Sequence, residues 1–294
     1  MITRVTSHSM ANTALRNLQG NMQDLARLQE KATSQRTFTA ASQDPSAAAK
    51  AMSLHAAQER NEQYTRNIND GLGWTSTADS AISSSVTLLG RVRDLAIQGS
   101  NTGAIDDVAR NAIAKELDSL RDELLSQANG TYLGRPVFAG TSGTAAFDRT
   151  TYAHSGVAGA EVTRKVADGQ SVRVDADGVA VFGVGADSVF ALVDRMASDL
   201  RAGNNIGGHI AAIDDRRQSM LGAQGAVGAS QAAIERSKQV ALSDGVSLEE
   251  QRAAVEDVDT AHVIVQLQSA ELVYQSALAV TARVLPPTLM EYLR

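Results

Sequence analysis

Residues 247–285, SLEEQRAAVEDVDTAHVIVQLQSAELVYQSALAVTARVL, decide how the rest of the chain is read. They open on Ser247-Leu248-Glu249-Glu250, a capping box in which a Ser oxygen accepts from the Glu250 N–H while the Glu250 carboxylate reaches back. They close before Pro286-Pro287, where a helix must stop. At about 1.5 Å per residue the predicted helix is about 57 Å long. Ile264, Leu267, Tyr274, Leu278 and Leu285 fall on one helical line, and Val258, Val265, Leu272 and Ala279 on a second, one residue over. From Thr260 to Ala282 the only formal charge is Glu271. A surface helix hides one face and wets the other. This one is apolar or small on more than one face, so it requires more than one neighbour. A lipid bilayer is a poor neighbour, because Gln266, Gln268, Ser269, Glu271, Gln275 and Ser276 sit mid-span. A central carboxylate alone costs about 2.5 kcal/mol or more there. Packing inside a multi-helix protein assembly fits the composition.

Composition narrows the function classes. The chain has 294 residues, enough for one large or two small domains, and carries a net charge of −6. That charge favours neither nucleic acid nor an anionic membrane surface. There is no cysteine, which excludes disulfides, thiol catalysis and cysteine-based metal sites. Aromatic residues make up 4% of the chain against 43% hydrophobic, so the apolar share is aliphatic, a vocabulary of helix packing more than of ligand pockets. Met1 to Thr6 starts no apolar core of Sec-signal length, so export would take another route.

Elsewhere the chain reads as helices interrupted once. Leu15, Leu18, Met22 and Leu25 step three and four residues in a predicted helix over 10–33, and Leu28 widens the stripe. Its natural partner is the helix at the other end of the chain. Residues 33–43 read as a polar linker. Asp44-Pro45 is a start signal, an N-cap followed by Pro at the first helical position. The helix it starts is predicted to reach Ile97, with Ile68, Leu72, Ile82, Val86 and Leu89 continuing the pattern. Gly71 and Gly73 mark either a close crossing beside Trp74 or a break. After a turn at 99–103, Asp106 starts a helix that Asn129-Gly130 ends. The period then shortens. Residues 135–138, 161–166, 171–175 and 179–182 read as strands, with hairpin turns at Asp168-Gly169 and Asp177-Gly178. Helix returns at 187–200. Ile206, Ile210, Ile213, Met220, Val227 and Ile234 then follow a coiled-coil repeat, expected to break at Ser243-Asp244-Gly245.

The expected fold is mainly α: long antiparallel helices forming a coiled-coil bundle from both chain ends, with a small β-rich insertion. The expected divisions are a terminal coiled-coil domain from 1–42 and 246–294, a rod of 43–135 with 187–245, and an outer domain at 136–186. The expected assembly interface comprises Leu15, Leu18, Met22, Leu25, Leu28, Ile264, Val265, Leu267, Leu272, Tyr274, Leu278 and Leu285.

Several segments resemble one family in order. Asn67-Ile68-Asn69-Asp70-Gly71, followed by Leu88 to Gln98 with Arg91, Arg93 and Leu95, is similar to the flagellin superfamily. Asp44-Pro45, the run Gly134-Arg135-Pro136-Val137-Phe138-Ala139-Gly140-Thr141 and the ending Leu289 to Arg294 resemble its hook-associated protein 3 branch. Ser34-Gln35-Arg36 stands where that superfamily usually has Ser-Gly-Lys or Ser-Gly-Arg. The resemblance implies a structural role in the bacterial flagellum, at the junction of hook and filament. It implies a ring of about eleven copies, closed by symmetry. It also implies hook-associated protein 1 and flagellin as neighbours, an export chaperone as a transient partner, and type III export to the cell exterior. The nearest alternative is the filament flagellin itself; a coiled-coil signalling protein is more distant.

Catalysis and metal binding have little support. His8, His55, His154, His209 and His262 are scattered and form no ligand pair of helical spacing. Asp175-Ala176-Asp177-Gly178 starts like a calcium loop but has Ala186 where the closing carboxylate belongs, so a hairpin turn is expected. Gly183-Val184-Gly185 lacks the third glycine of a dinucleotide fingerprint, and Asp214-Asp215-Arg216-Arg217 reads as a solvated helix face. No nucleophile–base arrangement, cofactor or nucleic-acid signal is present, and no membrane insertion is expected.

Overall fold

The structure is a computed structural model and describes residues 2–101, 106–157 and 159–284. Leu285, Pro286-Pro287 and the ending Leu289 to Arg294 lie outside the described residues. In chain order the described elements are helix α1 (Ile2–Ser34), α2 (Pro45–Gly99), α3 (Asp107–Ala128), strands β1 (Thr131–Tyr132), β2 (Arg135–Pro136), β3 (Thr163–Ala167) and β4 (Gln170–Arg173), then α4 (Gly178–Phe182), α5 (Val189–Arg201), α6 (Ile210–Glu256) and α7 (Thr260–Val284). The fold is mainly α with long helices, and the strands form two antiparallel hairpins, β1–β2 and β3–β4.

Helix starts follow local chemistry. The Asp44 carboxylate accepts from the Ser46 and Ala47 N–H groups at 3.1 and 2.9 Å, and Pro45, with no N–H to satisfy, takes the first position. Those bonds, Ala47 first, hold the Asp44 carboxyl below its ordinary value. Asp106 accepts from Ala109 N–H at 2.8 Å to start α3, and Ser188 accepts from Ala191 N–H at 3.1 Å to start α5.

The chain divides into two compact units. One comprises residues 1–59 and 245–294; the other is 60–244. Residues 136–186 fall in the second unit together with its helices. In that unit Ile206, Ile213, Met220, Val227, Ile234 and Ala241 are buried at seven-residue steps. They pack in one continuous core with Ile68, Ile82 and Leu89 of α2, Leu117 and Leu124 of α3, and Phe190 and Met196 of α5. Gly71 and Gly73 do not break α2; they mark a close crossing. A Cβ on Gly73 would overlap the Tyr132 ring, and one on Gly71 would press on Val174 at 3.2 Å and Ile234 at 3.3 Å.

Two expectations are corrected. The predicted helix over 247–285 is not one element. α6 runs through Ser243-Asp244-Gly245 without a break, because an interior glycine costs only about 1 kcal/mol, while packing beside it holds the helix: Ala241 is buried, and its carbonyl accepts from the Asn61 side chain at 2.9 Å. Ser247 therefore lies mid-helix, its oxygen accepting from Gln251 instead of capping. The break comes at Asp257-Val258-Asp259. There Thr37 N–H donates to Glu256 O at 2.7 Å and Val258 N–H donates to Gln35 O at 3.1 Å. Asp259 then caps α7 by accepting from His262 N–H at 3.1 Å.

The second correction concerns 177–182. Asp168-Gly169 does turn the β3–β4 hairpin, with Gly169 at φ 69°. Asp177-Gly178 does not turn a hairpin. The Asp177 carboxylate accepts from Val179 and Ala180 N–H groups, so the same dipeptide caps α4 and the predicted strand is a helix.

Candidate assembly surface

The first unit contains the residues expected at the interface. Arg36 bridges Asp257 where α1 ends and α7 begins, so the two helices run antiparallel and pack together. Their seam follows four-three spacing on both sides. Ala14, Leu18, Asn21, Leu25, Leu28 and Ala32 of α1 are partly buried, and so are Leu267, Ala270, Tyr274 and Ala277 of α7, with Val263 and Thr281 buried. This is knobs-into-holes spacing with small residues allowing close approach.

The expected interface residues divide by this geometry. Leu18, Leu25, Leu28, Leu267 and Tyr274 lie in the seam. Leu15, Met22, Ile264 and Leu278 lie beside it, about half exposed. Val265 and Leu272 face away from it, 65% and 66% exposed. Leu285 lies outside the described residues. Val263, Ala270, Ala277 and Thr281 were missed, because the reading followed large side chains. Their signal was small residues repeating at the seam's own spacing.

A charged clamp holds the junction where α6 ends. The Glu256 carboxylate is buried and pairs with His55 Nε2 at 2.7 Å and Arg252 at 2.9 Å. Burial pushes the Glu256 carboxyl up, but the hydrogen bonds from His55 and Arg252 more than offset it and hold it low. Arg252 also pairs with Glu249 at 2.6 Å, and the Gln58 amide donates to Glu249 at 2.8 Å. Arg252 first, then Gln58, lowers the Glu249 carboxyl to about 2.

The residues that carried the family resemblance support the fold. Asp44 and Pro45 start α2. Arg91 pairs with Glu116 at 2.6 Å, Arg93 with Asp214 at 2.9 Å, and Leu95 is buried. Gly134 takes φ 77° in the β1–β2 turn, and the Arg135 guanidinium lies 5.4 Å from the Trp74 ring centre. Phe138 is buried in the core of the second unit. Gly140 takes φ 57° with the Ala160 carbonyl 2.8 Å from where a Cβ would stand. Phe138 and Gly140 line one cavity of about 210 Å³ with His154, and none of the other positions lines it.

The histidines whose side chains are described have structural partners: Glu256 for His55, the Phe138 carbonyl for His154, Asp199 for His209 and Gln266 for His262. Among the described residues no group of three or more His, Asp or Glu could hold a metal ion, and no helix is long and apolar enough to cross a membrane.

The chain is similar to flagellar proteins. The bacterial flagellin N-terminal helical region matches residues 5–143. Flagellar hook-associated protein 3 of Salmonella typhimurium is 26% identical over 227 residues, covering 71% of this chain and 71% of that protein. Flagellin B of Vibrio cholerae is 30% identical, over 50% of this chain and 39% of that protein. The solved structure of flagellar hook associated protein-3 from Legionella pneumophila shares the fold with a TM-score of 0.60, at 14% identity, over 69% of this chain and 98% of that one.

Proposed function

We propose that the chain is a member of the flagellin superfamily, of its hook-associated protein 3 branch, and that it is a structural subunit joining hook to filament. One observation carries the mechanism. After α7 pairs with α1, Val265 and Leu272 remain about two-thirds exposed on the far side. An apolar helix face of that kind is stabilised by burial, at about 25 cal/mol per Å², when further copies cover it. The resemblance implies that these copies form a closed ring of about eleven. Its axial neighbours would be hook-associated protein 1 on one side and flagellin on the other. A chaperone would cover α7 before export to the cell exterior through the type III channel. A chain with no cysteine has no disulfide to prevent threading. The role is structural, and no reaction is assigned.

The second reading is the filament subunit. Matching extent favours the junction protein: the Salmonella hook-associated protein is matched over 71% of its length and Vibrio flagellin B over 39%. Labelling separates the two. A single introduced cysteine carrying a fluorophore is expected to give one spot at the filament base. Fluorescence along the whole filament would assign the chain to the filament.

A further inference from the structure

Resting on this assembly reading, we propose that neighbouring copies are held in register by one ion pair, Glu271 of one copy with Lys31 of the next. Glu271 is the only formal charge between Thr260 and Ala282, and it is exposed. Among the described residues neither the Glu271 carboxylate nor the Lys31 ammonium has an ion-pair or hydrogen-bond partner within its own chain. Arg27, one turn from Lys31, is already paired with Asp24.

The two groups lie on opposite flanks of the α1–α7 pair. At about 100° per residue, Glu271 stands about 80° to one side of the seam and Val273 about 80° to the other. Ile264 and Leu278 share the Glu271 flank and are half exposed, making an apolar strip with one carboxylate in it. The Val273 flank holds a groove of about 510 Å³ lined mostly by polar residues, in which Asp24, Arg27 and Lys31 stand beside Leu28, Ala270 and Val273. The unpaired carboxylate of the strip and the unpaired ammonium of the groove are complementary in charge, and being on opposite flanks they cannot meet within one copy. They meet head to tail between copies, the kind of contact that closes rings or extends helical arrays. Apolar residues supply attraction but slide easily along one another. A carboxylate drawn into this contact is costly unless it is paired, and with Arg27 already held by Asp24 the favoured register is the one that brings it to Lys31.

The test is a charge exchange in the full-length chain. Glu271→Lys and Lys31→Glu are each expected to cut the assembled fraction about tenfold, and the double variant to restore it. Assembly is read by sedimentation and negative-stain imaging, and melting by circular dichroism should be unchanged in all three. Singles that assemble like the parent chain, or a double variant no better than the singles, would overturn the pairing while leaving self-assembly intact. A parent chain that stays monomeric under all assembly conditions would overturn self-assembly and the pairing with it.

Discussion

Gln35 shows how much one backbone angle decides. It ends α1 at φ 57°, in the left-handed region, and its N–H donates to the Lys31 carbonyl at 3.0 Å. Glycine closes a helix there at no steric cost. A residue with a Cβ is disfavoured by about 1 kcal/mol or more. Gln35→Gly is expected to raise the melting temperature by about 2–4 °C for a chain of this size. A lower value would show that the Gln35 side chain contributes more than its strain removes. The clamp beside it sets an acid response. Glu249 is held at about 2 against an ordinary 4.5, so its contribution to stability is fully present above about 4.5. That contribution is lost as pH falls from 4.5 toward 2. Melting temperatures measured between pH 7 and pH 2.5 should fall most steeply in that window, and Glu249→Gln should flatten the fall. An unchanged slope in the variant would remove Glu249 from the acid response.

At the scale of elements, the insertion is the instructive case. Read as a β module, 142–183 would be dispensable. The structure ties it to the helices: Phe147 and Phe182 lie with ring centres 5.3 and 5.7 Å from Phe190 of α5, and Phe138 lies 5.1 Å from Phe182. Phe147→Ala is expected to cost about 3–5 kcal/mol. Replacing 142–183 with a Gly/Ser linker is expected to abolish the cooperative melting transition; a retained transition would make the module an independent appendage. Sequence revealed the long helices because Ile206 to Ile234 repeats one burial decision every seven residues. It revealed the Asp44-Pro45 and Asp106 starts because caps are local. It misplaced the break between α6 and α7 because that break depends on residues 35–37, more than two hundred positions away. It misread Asp177-Gly178 because an Asp can cap a helix or turn a hairpin, and only the neighbouring core decides which.

For the whole molecule the question is whether the uncovered face of α7 exists for other copies. Leu272 is the most direct probe, since it is 66% exposed and lies opposite the seam that α1 covers. Sequence identified Leu272 and Val265 as a second line but set Ile264 and Leu278 in the seam, where the smaller Val263, Ala270 and Ala277 stand instead. A carboxylate at position 272 would forfeit about 1.5–3 kcal/mol of apolar burial per copy on assembly, in addition to its own desolvation. In the free chain it would remain in water. The decisive measurement therefore pairs two readings of Leu272→Asp: melting of the isolated chain by circular dichroism, and incorporation at filament bases in cells lacking the parent protein. We expect a melting temperature within about a degree of the parent chain and no incorporation. Normal incorporation would contradict the assembly role of this face, and melting several degrees lower would place Leu272 in the core of the free subunit.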